Sequence, residues 1–328
     1  MELHPSISTL NPLPDIFDLG YESCLTYIET FRERGLQIMD YFEPKTLGDA
    51  LSLLAQHGAE AKVIAGGTDV MVDIKFKEEP GSLVNIKKIP GLTGIKENGA
   101  SLRIGALTTI REIETSALVR EKLPVLWDAA HQFASLQVRN TATIGGNICR
   151  ASPSGETLTP LLVLEAKAKL AFSEGEKSEP FSAFFQGPGK SSAGAKGLLT
   201  EIDVPIPPAG SKGVYLKHAV RGAMDIAMVG VAVMLTPDAA KNNVQEVRIG
   251  LGAVAPTPVR APKTEALLRG KRLTAVLIKE AGALAASEAS PISDQRSSAE
   301  NRRWIVEALT RRGLEQTWKA ATGKEVAS

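Results

Sequence analysis

The chain has 328 residues, of which 43% are hydrophobic and 23% charged, so it can bury the cores of two or three packed units. Its 38 basic and 37 acidic residues leave a net charge of +1, which argues against a nucleic-acid-binding surface. The two cysteines, Cys24 and Cys149, are too few for a disulfide framework or for the four thiolates of an iron–sulfur cluster.

The first part of the chain combines an arm of unknown role with alternating strands and helices. Residues 1–38 form the N-terminal arm, and an amphipathic helical pattern covers residues 21–39. Thr46 is a good N-cap for a helix that ends near Gly58. The elements that follow, a strand, a helix and a strand, are predicted at residues 62–64, 70–76 and 83–86. This alternation predicts a small α/β layer.

The middle of the chain is predicted to mix hairpin strands with short helices. The Asn-Gly pair at residues 98–99 indicates a hairpin turn between two strands. A helix over residues 117–133 is interrupted at Pro124 because proline lacks the N–H that the helix needs. Residues 173–178 are interpreted as a polar turn, and residues 198–206 as an exposed edge strand that ends at prolines.

Beyond residue 213 the pattern changes to strands followed by helices. Strands are predicted at 214–219, 226–235 and 244–254, and helices at 263–268, 273–289 and 299–321. Ser298 is positioned to cap the last helix. The buried face of that helix is predicted to carry Trp304, Ile305, Leu309, Leu314 and Trp318.

Two Gly-Gly sequences are the candidate cofactor-binding motifs. The first glycine loop, residues 65–69 (AGGTD), follows a predicted strand and precedes a helix, and the second, residues 143–147 (TIGGN), follows a Thr-rich stretch. A pyrophosphate needs several backbone N–H donors with no Cβ in the way, and paired glycines with a helix N-terminus supply both. Either pair alone is equally typical of an ordinary turn, whereas together they could hold one dinucleotide. Neither fits G-x-G-x-x-G, so a Rossmann NAD site is not indicated.

Other reactive residue types receive a structural interpretation. The histidines, His4, His57, His131 and His218, have no metal-ligand spacing. Cys149 lies close to the second glycine loop, where a lone thiol is more often a small apolar side chain than a redox centre. We therefore predict neither a metal ligand nor a catalytic acid, base or nucleophile.

Three strings resemble the medium, FAD-binding subunits of molybdenum hydroxylases of the xanthine dehydrogenase and carbon monoxide dehydrogenase type. They span residues 64–72, 137–148 and 151–157. The resemblance implies an α+β fold: a vanillyl-alcohol-oxidase (PCMH) type FAD-binding domain at 39–210, with subdomains of about 39–95 and 96–210, and a small α/β C-terminal domain at 211–328 of the carbon monoxide dehydrogenase flavoprotein type.

The resemblance also implies FAD as the cofactor and assigns residues to it. Both glycine loops would hold the FAD diphosphate, with Ile144 close to the flavin ring, a leucine of residues 198–199 packed on that ring and Lys217 near its polar edge. Glu156 stands where the family commonly has an aspartate that contacts the ribityl or ribose hydroxyls. The complete predicted set is Ile64, Ala65, Gly66, Gly67, Thr68, Asp69, Thr143, Ile144, Gly145, Gly146, Asn147, Ser152, Glu156, Leu198, Leu199 and Lys217.

The implied function is electron transfer within a complex. The subunit would take electrons from the iron–sulfur clusters of a partner and pass them to an acceptor such as NAD or a quinone. The implied partners are a large molybdenum-cofactor subunit and a small [2Fe-2S] subunit, arranged as a dimer of heterotrimers. No apolar run is long enough to span a bilayer and no secretory signal is present, so a cytoplasmic protein is expected.

Two alternatives remain open. One is a stand-alone FAD oxidoreductase on the same fold, and the other is a scaffold that has lost FAD. The four-cysteine cluster loop of 4-hydroxybenzoyl-CoA reductase is excluded, because the chain has only two cysteines.

Overall fold

The computed structural model describes residues 39–76 and 80–327. The N-terminal arm of residues 1–38, with its predicted helix, lies outside these residues. Within them the strands form sheets of three, five and four strands and one two-stranded hairpin. None of the described helices is long and apolar enough to cross a membrane.

The first sheet is parallel and has the strand order β1-β3-β2. Its unit consists of β1 (Asp40–Phe42), α1 (Leu47–His57), β2 (Ala61–Ile64), α2 (Val70–Phe76) and β3 (Ser82–Asn85). The Thr46 hydroxyl accepts from the Asp49 N–H, and Gly58 ends α1 with a positive φ of 55°, so both predicted helix boundaries are confirmed. Parallel strands need crossover connections, and α2 provides the one between β2 and β3.

The central sheet is antiparallel and has the strand order β4-β5-β10-β6-β7. Its strands, with the β8–β9 hairpin, are β4 (Ile95–Asn98), β5 (Ser101–Gly105), β6 (Lys167–Phe172), β7 (Gly175–Pro180), β8 (Phe185–Gly187), β9 (Lys190–Ser191) and β10 (Leu198–Pro205). The helices between them are α3 (Ile110–Thr115), α4 (Ala117–Lys122), α5 (Pro124–His131), α6 (Leu136–Arg139), α7 (Ile144–Arg150), α8 (Leu158–Val163) and α9 (Phe181–Phe184). The hairpin turn predicted at residues 98–99 is confirmed.

Two predictions for this region are corrected by the structure, and one is confirmed. β10 is the middle strand and not an edge, because β5 and β6 pair with its two sides. Residues 173–178 do not form one polar turn, since β7 begins at Gly175 and pairs with β6 along its whole length. The predicted interruption at Pro124 is confirmed, since residues 117–131 form two helices, α4 and α5, with Pro124 as the first residue of the second; the second helix ends at His131 and not at residue 133.

The C-terminal sheet is an antiparallel array in the order β11-β12-β13-β14. Its elements are β11 (Lys212–His218), β12 (Val229–Pro237), β13 (Val244–Gly252), β14 (Val259–Arg260), α10 (Pro262–Leu268), α11 (Ala275–Glu288) and α12 (Ala299–Thr322). Ser298 caps α12 as predicted. Trp304 is wrongly predicted as buried: it is 61% exposed, whereas Leu309, Leu314 and Trp318 are buried.

The packed cores connect the three sheets. Tyr215, Ala232 and Met234, which lie on β11 and β12, belong to the same apolar core as the central sheet. Ala171 and Leu198 of the central sheet pack in the core of the first sheet. Each sheet is therefore held against its neighbour by buried apolar surface, and the loops at these junctions have defined positions.

Candidate functional site

A cleft of about 630 Å³ lies between the first sheet and the central sheet. Three segments line it: the first glycine loop, residues 142–150 and the residues 186–199 that run from the β8–β9 hairpin into β10. Leu107, Phe133 and Leu198 add apolar surface. The cleft combines one polar, glycine-rich wall with an apolar one, as sites for small molecules commonly do.

The first glycine loop presents unpaired amide groups to the cleft. The loop leaves β2, turns through Gly67 at a φ of +75° and enters α2. Within the part of the chain that the structure describes, the N–H groups of residues 66–69 donate no hydrogen bond to another protein group. Unpaired amides are costly unless water or a ligand accepts from them. This wall is therefore suited to an anion.

The second glycine loop is built differently, because its glycines form the first turn of α7. The Thr143 hydroxyl caps that turn by accepting from the Gly146 N–H at 3.0 Å. The N–H groups of Ile144, Gly145 and Asn147 donate to the carbonyls of Thr108, Ala106 and Thr143 at 2.8–3.0 Å. The amides that open α7 are thus used inside the protein, and the free donors lie in the first glycine loop.

Close packing explains why the second glycine loop needs Gly145. A Cβ on Gly145 would lie 2.6 Å from the Ala106 carbonyl oxygen, far inside contact distance. The absence of a side chain lets α7 approach Ala106, the residue after β5, and brings Thr143 and Asn147 to the cleft. The Asn147 amide oxygen accepts from the Thr157 hydroxyl at 2.6 Å, which fixes the orientation of that side chain.

The two glycine-bearing walls touch directly. A Cβ on Gly66 would lie 2.2 Å from the Thr141 carbonyl oxygen and 3.0 Å from Ala142 Cα. A few residues away, Arg150 of α7 forms an ion pair with Asp73 of α2 through both guanidinium Nη atoms, and its Nε lies 3.8 Å from Asp69 Oδ1. Backbone packing and an ion pair therefore set the distance between the two walls.

Residues 186–197 form a third wall that sequence reasoning missed. Gln186, Lys190 and Ser191 line the cleft together with small residues of this segment. Gly187, Gly189 and Gly194 have positive φ values of 150°, 70° and 56°, which only glycine adopts readily. The signal was present in the sequence, where glycines cluster between residues 187 and 197.

The structure brings together most, though not all, of the predicted site residues. The predicted residues that line the cleft are Ala65, Gly66, Gly67, Thr68, Asp69, Thr143, Gly145, Gly146, Asn147, Leu198 and Leu199. Ile64 and Ser152 lie outside that lining, and Ile144 is 0% exposed within the apolar core of the central sheet. The predicted contact of Ile144 with the flavin ring stays a prediction.

Glu156 and Lys217 form a buried ion pair with each other. Lys217 Nζ lies 2.8 Å from Glu156 Oε1 and also donates to the Asp225 carbonyl at 2.7 Å. Burial raises the pKa of Glu156, and the attraction of Lys217 lowers it only in part. Neither residue lines the cleft, so the pair joins the C-terminal sheet to the unit that carries the cleft.

Cys149 also lines the cleft, as a half-buried residue. Its surroundings are desolvated, and burial raises the pKa of its thiol to about 12. Because thiolate is the reactive form, this cysteine is a neutral packing residue at physiological pH. Among the described residues, no group of three or more His, Cys, Asp or Glu is arranged to hold a metal ion.

Comparison with known proteins identifies the family. Residues 34–207 match the FAD-binding domain in molybdopterin dehydrogenase, and residues 214–317 match the carbon monoxide dehydrogenase flavoprotein C-terminal domain. The chain belongs to this family of FAD-binding subunits. The predicted family, the predicted α+β fold and FAD as cofactor are thereby confirmed, and the protein is a flavoprotein subunit of an oxidoreductase.

Relatives match this flavoprotein subunit over nearly their whole length. The xanthine dehydrogenase FAD-binding subunit of Escherichia coli O157:H7 is 33% identical over 288 residues, covering 87% of this chain and 97% of the relative. The carbon monoxide dehydrogenase medium chain of Hydrogenophaga pseudoflava is 32% identical over 280 residues, covering 85% and 96%. The solved carbon monoxide dehydrogenase of Hydrogenophaga pseudoflava superposes with a TM-score of 0.84 at 33% identity, covering 86% of this chain and 98% of the solved chain.

The cleft of this flavoprotein subunit fits FAD. The unpaired amides of the first glycine loop suit a diphosphate, and the apolar side chains of Leu107, Phe133 and Leu198 suit a ring system. Gly66 and Gly145 leave the walls no room for a Cβ, so the cleft keeps its shape only with glycine there.

Proposed function

We propose that the chain is the electron-transfer subunit of a molybdenum hydroxylase complex. It accepts electrons from the iron–sulfur clusters of a partner subunit and passes them to an external acceptor such as NAD or a quinone. The observation that carries this proposal is the cleft with unpaired amides on one wall and apolar side chains on the other, in a chain of this family.

The chain's own residues hold and orient the cofactor. The amides of residues 66–69 bind the diphosphate, and Thr68 and Thr143 line the same cleft from its two glycine-bearing walls. Leu198 and Leu199 supply apolar contacts for the flavin, and the other predicted residues that line the cleft complete the surroundings. When bound, FAD accepts electrons one at a time and releases one or two, which suits a junction between one-electron clusters and an external acceptor.

We propose domain boundaries on the basis of this function. We assign the FAD-binding domain to residues 39–210, with subdomains of about 39–95 and 96–210, and the C-terminal domain to residues 211–328. The proposed partners are a large molybdenum-cofactor subunit and a small [2Fe-2S] subunit in a dimer of heterotrimers. Related chains named as medium chains support partners of this kind.

Purification of the tagged full-length chain from its own host tests the proposal. The expected result is a complex of three different subunits that contains molybdenum, iron and FAD, with FAD released from this chain on denaturation. A matched Gly66→Val variant should assemble with less FAD, because its side chain would collide with the Thr141 carbonyl.

Each alternative has its own outcome. FAD on the isolated chain, with neither metal nor partner at any stage of purification, would establish a stand-alone flavoprotein. A wild-type chain that binds no FAD, alone or with partners, would establish a scaffold that has lost its cofactor.

A further inference from the structure

The charges around the cleft create a problem for a bound diphosphate. Asp69 lines the cleft, and Asp73 lies behind it with only 4% of its surface exposed. A negatively charged ligand at the first glycine loop is repelled by both carboxylates, and the repulsion is strongest where water is excluded. A cation beside this acidic pair would offset the repulsion.

Arg150 is the cation beside this acidic pair. Its guanidinium forms two hydrogen bonds to Asp73, one of them 3.1 Å long, and its Nε lies 3.8 Å from Asp69 Oδ1. The side chain is 36% exposed and lines the cleft. It is thus the side chain that contacts both carboxylates and also faces the cleft.

The guanidinium has donors left for a ligand. An arginine carries five N–H donors in a planar fork, and Asp73 engages two of them. Within the described residues, no other hydrogen bond from the Arg150 side chain is formed. A phosphate oxygen is a strong acceptor for such donors, and the fork favours arginine over lysine at this site.

We propose that Arg150 binds the FAD diphosphate and that Asp73 positions it for this contact. The inference rests on the proposed function, in which the diphosphate lies at the first glycine loop. Arg150 ends α7 and Asp73 lies within α2, so one side chain both supplies charge to the ligand and joins the two walls.

The test is a binding titration of the cofactor-stripped full-length chain with two probes. FAD carries the diphosphate and riboflavin does not, so a lost phosphate contact affects FAD alone. We expect Arg150→Gln to weaken FAD binding by about tenfold to a hundredfold, as for one lost charged hydrogen bond. Riboflavin binding should change by less than about twofold by the same reasoning. Arg269→Gln is the matched control, because Arg269 pairs with Glu246 away from the cleft.

The double variant Asp73→Asn with Arg150→Gln separates direct binding from neutralisation. It removes the cation without leaving a buried, unpaired carboxylate, so it should fold where Arg150→Gln alone fails. We expect the double variant to bind FAD as weakly as Arg150→Gln does. Its FAD affinity should also depend less on salt than that of the wild type, between about 50 mM and about 500 mM. If riboflavin binds too weakly to titrate, this salt dependence shows whether Arg150 contacts the diphosphate.

Three results would overturn the inference: unchanged FAD affinity in Arg150→Gln, equal losses for FAD and riboflavin, or wild-type FAD affinity and salt dependence in the double variant. The last would show that Arg150 only neutralises Asp73. A wild-type chain that binds no FAD would instead count against the proposed function itself, so the two failures are distinct.

Discussion

Replacing Gly66 with alanine tests the contact between the two walls of the cleft. The new Cβ would lie 2.2 Å from the Thr141 carbonyl oxygen and 2.9 Å from its carbonyl carbon, and both atoms belong to the backbone. An ordinary contact requires the walls to separate by roughly 1 Å, which packed interiors resist. We expect Gly66→Ala to fold but to carry a strained cleft.

The magnitude follows from the cost of overpacking. A forced contact of this kind costs about 1–3 kcal/mol. With about 2.1 cal/mol/K of unfolding entropy per residue, the melting temperature should fall by roughly 2–5 °C for a cooperative unit of this size. The displacement also moves the amides of residues 66–69. Loss of one amide bond to a charged phosphate would weaken FAD binding by about tenfold or more.

Thermal unfolding of the cofactor-free chain and FAD titration together provide the assay. Gly48→Ala is the matched control, because a Cβ there meets nothing closer than Thr46 Oγ1 at 3.9 Å and alanine favours helix α1. The control should melt no lower than the wild type and bind FAD equally well. If Gly66→Ala leaves both the melting temperature and the FAD affinity unchanged, the walls do not meet as closely as described. A lower melting temperature with unchanged FAD affinity would show that the walls meet as described but that their contact does not position the amides for FAD.

Three further predictions concern other parts of the site. Thr143→Ala should destabilise the chain by about 1 kcal/mol, and Thr143→Ser by less, in denaturant unfolding, because the hydroxyl caps Gly146 N–H. Lys217→Met should cost about 3–5 kcal/mol at neutral pH because Glu156 stays buried without its partner. The raised pKa of Glu156 makes its contribution to stability fullest below its ordinary pKa and lost as pH rises through the raised one. The Lys217→Met penalty should therefore grow as the pH rises above the ordinary pKa of a glutamate side chain. Cys149, with its pKa raised to about 12, should be alkylated at about pH 8 only after unfolding, as peptide mass spectrometry can show.

Local rules predicted those elements whose boundaries depend on neighbouring residues. Thr46 and Ser298 cap their helices, and helix α2 begins at Val70, where its sequence indicates. The turn at residues 98–99 needs only an Asn-Gly pair between two strands. These features depend on a few consecutive residues and not on the fold around them.

Predictions that depend on distant partners were the ones that were wrong. β10 was predicted as an edge because prolines end it, yet its position in the sheet depends on β5 and β6, which lie far away in sequence. Trp304 was predicted as buried because it is apolar. The buried stripe of α12 instead runs through Arg302, whose guanidinium donates to the Met228 carbonyl at 2.7 Å and pairs with Asp294. Apolar character alone therefore misplaced Trp304, whereas Leu309, Leu314 and Trp318 are buried as predicted.

The two glycine loops show the same limit at the site itself. Both are Gly-Gly pairs beside threonine, and the sequence alone offers no reason to give them different roles. In the structure the first glycine loop leaves its amides free, while the second uses them for α7 and for packing on Ala106. Substitution by alanine should therefore act differently: at Gly145 through the fit of α7 against Ala106, and at Gly66 through packing on Thr141 that also displaces the free amides. Melting temperatures of the Gly145→Ala variant with and without FAD measure its stability and its FAD binding together. If Gly145→Ala weakens FAD binding without lowering the melting temperature of the FAD-free chain, this division of roles is wrong.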